Sequence, residues 1–140
     1  MSGSGGSAGA LRVRATAMGA ATVTVAAGLA ARAVAEGDAA KYAGDALYTV
    51  LVHALVVLAV PRVRPAAAAG AALAFSWAVE FLQLTGIPAD LSRHSVLARL
   101  VLGSTFNAPD LFWYAAGAAA GWLVHTAVAK RRRRNVGGER

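Results

Sequence analysis

Ser76-Trp77-Ala78-Val79-Glu80-Phe81-Leu82-Gln83 is the stretch that decides how this chain folds. It sets a carboxylate and an amide inside an apolar run, Pro65 to Leu84, that contains no other ionisable group. At about 1.5 Å per residue such a run, as a helix, crosses a hydrocarbon core of about 30 Å. A charge at the centre of a membrane helix costs about 2.5–3.5 kcal/mol on insertion scales, so Glu80 needs a partner.

Working outward, the composition supports a membrane setting. Hydrophobic residues make up 57% of the 140 and charged residues only 15%, below the roughly 25% of soluble domains. The formal net charge of +7 is not a nucleic-acid signal. The run Lys130-Arg131-Arg132-Arg133-Arg134 and most other basic residues flank apolar segments, which is where topology signals and contacts with anionic lipid belong. The chain has no cysteine, which removes disulfides, thiol chemistry and thiolate metal sites.

Four spans are expected, at about 15–33, 44–60, 65–86 and 109–129, forming an all-α four-helix transmembrane bundle over 11–130. Residues 1–10, rich in Ser, Gly and Ala, read as a disordered tail, and 131–140 as a basic cytoplasmic tail. The first apolar run also fits a signal peptide ending at Ala33-Val34-Ala35. Its length and its shortage of leucine favour a retained helix. Pro61 closes the second span, and the turn Pro61-Arg62-Val63-Arg64-Pro65 makes a tight hairpin with the third. Helical spacing from Leu91 to Leu102 predicts a short interfacial helix between spans three and four. On that helix Arg93 falls beside Val96, Leu97 and Leu100. Pro109-Asp110 opens the last span, since proline suits a first helical turn.

Lysine and arginine in the loops set the orientation. One side holds Arg12, Arg14, Arg62, Arg64, Lys130 to Arg134 and Arg140; the other holds Arg32, Lys41, Arg93 and Arg99. This excess puts both termini in the cytoplasm. It also brings Asp45, Glu80, Gln83 and Asp110 to the outer ends of their spans, next to the Arg93/Arg99 segment. Ser76, Glu80 and Gln83 share one helix face; so do Asp45, Tyr48 and Thr49, and so do Asp110, Tyr114, Gly117 and Gly121. The expected cluster is therefore Asp45, Tyr48, Glu80, Gln83, Arg93, Arg99 and Asp110, with Arg93 the expected partner of Glu80. Gly117 and Gly121 form a small-xxx-small motif that permits close helix approach, and association between copies of the chain.

Plainer roles stand beside these. Asp45 and Asp110 suit helix caps or dipole partners, and His53 suits a hydrogen-bonded packing residue. His94 and His125 lack metal-ligand spacing, so neither metal nor cofactor is expected.

Gly44-Asp45-Ala46-Leu47-Tyr48, Glu80-Phe81-Leu82-Gln83, Arg93, Leu102-Gly103-Ser104-Thr105-Phe106 and Asp110-Leu111-Phe112-Trp113-Tyr114-Ala115-Ala116-Gly117, in this order, resemble the domain of unknown function 2809 family of small bacterial membrane proteins. That family is similar in layout to the VanZ-like proteins, in which a Glu-x-x-Gln helix precedes an Arg and an Asp-led last span. The resemblance covers about residues 11–128. It implies a four-span bundle in the bacterial cytoplasmic membrane, a link to the cell envelope, and no established chemistry. The Asn-x-x-Gly pattern expected in the last span of a VanZ-like protein is absent here.

Three functions fit the residues. The first is a non-enzymatic site for the headgroup of a lipid or envelope precursor, with arginine forks for phosphate or carboxylate and carboxylates for sugar hydroxyls. The second is an accessory protein acting through a partner. The third is an intramembrane hydrolase using an Asp45/Asp110 dyad or Glu80 as base, although no GxSG, HExxH or GxGD motif is present.

Overall fold

The computed structural model describes residues 4–138. Its elements are α1 (Ser4–Val34), α2 (Gly37–Ala59), α3 (Pro65–Leu82), a 3-10 turn (Gln83–Thr85), α4 (Ile87–His94), α5 (Val96–Leu102) and α6 (Ala108–Gly137). No strand occurs among the described residues. The stretches Ser4–Val34, Gly37–Ala59, Pro65–Thr85 and Ala108–Gly137 are each long and apolar enough to cross a membrane. Their outer surface carries exposed large side chains such as Leu29, Leu55, Phe75, Phe112 and Leu123. So much exposed apolar surface is a liability in water. In lipid it is the required exterior, and helices satisfy their own backbone there.

The breaks follow local chemistry. Asp38 lies in the first turn of α2, where a carboxylate complements the helix dipole. Pro65 and Pro109 sit in the first turns of α3 and α6, where a missing N–H costs nothing. Gly86, at φ 78°, takes the left-handed conformation that ends the 3-10 turn and starts α4.

α2 is central, packing against α1, α3 and α6, and α3 also packs on α6. The interfaces are built from small residues: Ala68 and Ala72 are fully buried, and Ala17, Ala21, Ala54 and Ala118 nearly so. A Cβ placed on Gly117 would lie 2.2 Å from the Ala46 carbonyl oxygen, so α2 and α6 meet backbone to backbone there. Gly117 and Gly121 are both buried, so the small-xxx-small motif serves close helix approach within the bundle.

Three boundaries depart from the sequence reading. Residues 4–10, read as disordered from their composition, are an exposed helical extension of α1; the expected disorder of residues 1–3 lies outside the described residues. α6 continues through the arginine run to Gly137, because arginine is a good helix former and cations suit a helix C-terminus. The end of the expected basic tail, 139–140, lies outside the described residues. The single interfacial helix is in fact two. Ser95 adopts extended backbone (φ −146°, ψ 123°), and its Oγ caps α5 by accepting from the Ala98 N–H at 3.2 Å.

Candidate functional site

At one end of the bundle, here the acid end, the start of α2, the end of α3 and the start of α6 meet. Glu80, on the last turn of α3, is fully buried. Its Oε1 accepts from the backbone N–H of Asn107 at 2.6 Å, and its Oε2 accepts from the Tyr114 hydroxyl at 3.1 Å. Asn107 is the N-cap of α6. The carboxylate thus sits at the positive end of that helix dipole and reproduces, from another helix, the reach-back bond of a capping box. This answers the question of its partner: helix start and tyrosine, not arginine.

The cation of the acid end is Lys41. It forms an ion pair and hydrogen bond with Asp110 Oδ1 and lies 3.6 Å from Asp45 Oδ2. Asp110 also accepts from the Asn107 amide at 2.5 Å. Two carboxylates therefore share one ammonium. The Asp110 and Asp45 side chains are 5% and 16% exposed, whereas Lys41 is 44% exposed and brings the cluster to the surface. Asp45 Oδ2 is buried and has no hydrogen-bond donor.

The other expected members go elsewhere. Arg93 is exposed and pairs with Asp90 at 2.8 Å. The break at Ser95 removes it from the α5 face on which a continuous helix would have placed it. Arg99 donates to the Ser92 carbonyl at 3.0 Å. Tyr48 and Gln83 donate to the Val101 and Leu102 carbonyls at 2.9 and 2.7 Å, satisfying C-terminal carbonyls of α5 that its own helix cannot. Gly103, at φ 65° and ψ −164°, completes this anchoring: a Cβ there would lie 2.6 Å from Gln83 Nε2. The Ser92 hydroxyl donates to its carbonyl at 2.8 Å.

Of the seven residues expected in one cluster, the structure brings together Asp45, Glu80 and Asp110, sets Tyr48 and Gln83 against the end of α5, and gives Arg93 and Arg99 partners of their own. Sequence reasoning missed Lys41 and Asn107. Both carried a signal: Lys41 stands four residues before Asp45, and Asn107 is a good N-cap residue just ahead of Pro109. Among the described residues no group of three or more His, Cys, Asp or Glu is placed to hold a metal ion.

A family model described as a protein of unknown function, DUF2809, matches residues 34–118. The chain belongs to the DUF2809 family. The matched stretch holds every residue of the acid-end cluster. No curated protein and no solved structure matches the chain.

Proposed function

We propose that this DUF2809 protein is a non-enzymatic membrane protein whose acid end binds the headgroup of a lipid or cell-envelope precursor bearing N–H or O–H donors. The observation that carries the reading is the open acceptor, Asp45 Oδ2, buried beside a half-exposed lysine in a network otherwise largely closed. A buried carboxylate oxygen without a donor is costly, and an amine or sugar hydroxyl entering past Lys41 would complete it. Phosphate recognition through Arg93 and Arg99 loses its support, since both are engaged away from the cluster. The excess of basic residues beside the termini and the Arg62/Arg64 turn supports a cytoplasmic placement of that side, with the acid end outward. The hydrolase reading is weakened by Lys41, which contacts both Asp45 and Asp110 where a dyad would share a proton.

The test uses full-length protein in maltoside micelles, with lipid retention read by native mass spectrometry. Phosphatidylethanolamine offers ammonium donors, a glycosyl diacylglycerol offers hydroxyl donors, and phosphatidylcholine offers neither. A charge-assisted hydrogen bond corresponds to roughly a tenfold preference or more. The wild type should retain a donor lipid over phosphatidylcholine by that factor, and Asp45→Asn should erase the preference. Equal retention of all three by the wild type overturns the headgroup reading.

A second reading has one observation in its favour: Glu80, Gln83, Tyr48 and Asp110 all bond within the chain. On that reading the cluster is a lock and the protein acts through a partner. Crosslinking that recovers one stoichiometric partner, with no headgroup preference, selects it.

A further inference from the structure

The opposite end of the bundle, here the basic end, holds a groove of ≈ 430 Å³ between α1, α2 and α6. Its walls are apolar, with Ala17 and Ala20 from α1, Ala54 and Val57 from α2, and Val124 and Val128 from α6. Arg62, Arg64, Arg132 and Arg133 ring its mouth, and no acidic residue lines it. Arg132 donates to Thr16 at 2.7 Å, tying α6 to α1 across the opening. Arg62, Arg64 and Arg133 make no ion pair and no hydrogen bond among the described residues. His53 lines the inner end and bonds to His125 at 3.0 Å.

We propose that this groove seats one acyl chain of an anionic phospholipid, with Arg62, Arg64 and Arg133 holding its phosphate. The dimensions fit one leaflet. From Gly121 to Arg132 the α6 wall rises about 16 Å at the helical repeat, half of a hydrocarbon core of about 30 Å. The charge fits as well, because free guanidiniums at a membrane surface present the planar fork that suits phosphate. Basic pockets between membrane helices are where anionic headgroups settle. A second copy of the chain is the poorer occupant: a two-fold contact repeats the same patch on both partners and would set two arginine clusters against each other.

This site is separate from the acid end and opposite in charge preference, so either assignment stands without the other. Phosphatidylglycerol and phosphatidylcholine are titrated onto the full chain in maltoside micelles, and bound lipid is counted by native mass spectrometry. The wild type should prefer phosphatidylglycerol. At about tenfold or more for each charge-assisted hydrogen bond to the phosphate, Arg62→Gln with Arg133→Gln should weaken its retention by about 100-fold or more. Arg131→Gln with Arg134→Gln removes the same charge from residues that do not line the groove and should have a much smaller effect. Ala120→Phe, at an exposed position on the groove wall, fills the cleft with all charges kept and should also lose phosphatidylglycerol. Equal loss from the two arginine pairs, or wild-type retention by Ala120→Phe, would overturn the proposal in favour of general surface attraction. Disulfide-linked dimers of an Ala120→Cys variant, with no phosphatidylglycerol retained by the wild type, would overturn it in favour of a second copy.

Discussion

The acid and basic ends are about 22 Å apart along α6, from Asp110 to His125, and they solve opposite problems. The acid end buries carboxylates and matches most of their polar atoms, Asp45 Oδ2 and Gln83 Oε1 excepted, and the end of α5 and the linker to α6 are bonded down at Val101, Leu102, Gly103 and Asn107. The basic end buries little charge and leaves a gap, crossed by Arg132 to Thr16 and steadied by Arg14, which donates to the Leu58 carbonyl at 3.2 Å. Polar groups kept from water fix one geometry, because each unmatched atom is costly. Apolar walls with arginines at the rim impose no such demand. The acid end therefore holds one shape around whatever completes Asp45, whereas the basic end keeps a cleft whose width can adjust.

The largest effect expected from this contrast is at Glu80. Glu80→Ala strands the Asn107 N–H and the Tyr114 hydroxyl in a buried site and leaves a cavity, at about 3 kcal/mol or more. Glu80→Gln keeps an acceptor for Asn107 and should cost about 1 kcal/mol. Unfolding in mixed micelles, followed by circular dichroism, measures both. If the two substitutions cost the same, the charge rather than the hydrogen-bond geometry holds this end, and the account of Asn107 as partner fails.

Gly117→Ala should follow, at about 2–3 kcal/mol by the same assay. Its new Cβ would meet the Ala46 backbone at 2.2 Å, and packed helices yield to such overfilling at that order of cost. Gly121→Ala, one turn nearer the basic end, meets the His53 ring at 2.9 Å. A side chain beside an open groove can swing aside where a backbone cannot, so about 1 kcal/mol is expected. Equal costs would mean that the basic end is as rigid as the acid end.

The two ends also differed in how far the sequence revealed them. The four spans and the convergence of Asp45, Glu80 and Asp110 were legible, since hydropathy, loop charge and helical spacing all act over short range. The partners were not. Placing the start of the second span at Gly44 left Lys41 in a connection, whereas α2 begins at Gly37 and Lys41 stands one turn before Asp45 on the helix. Carrying the helical period through Ser95 put Arg93 on a face that does not exist. A single cap residue outweighed the apolar pattern, because pattern reports burial and not backbone continuity. The groove left no trace at all. It is a space between α1 and α6, residues far apart in sequence, and a gap has no periodicity. The His53–His125 bond joins positions 72 apart, which no local rule pairs.

The smallest expected effect lies at the basic end. Arg132 is partly exposed and its bond to Thr16 is a single surface contact, so Arg132→Gln should move stability by less than about 0.5 kcal/mol. Its geometric effect should be larger than its energetic one, because this bond ties α1 to α6 across the mouth of the groove. The chain has no native cysteine, so nitroxide labels on Met18→Cys and Leu123→Cys, exposed positions on α1 and α6 outside the groove lining, report the gap without filling it. In zwitterionic micelles Arg132→Gln should broaden that distance distribution, and phosphatidylglycerol should narrow it again. An unchanged distribution would mean that the packing of α1 on α2 alone sets the width of the groove, leaving the arginines to act on the headgroup and not on the helices.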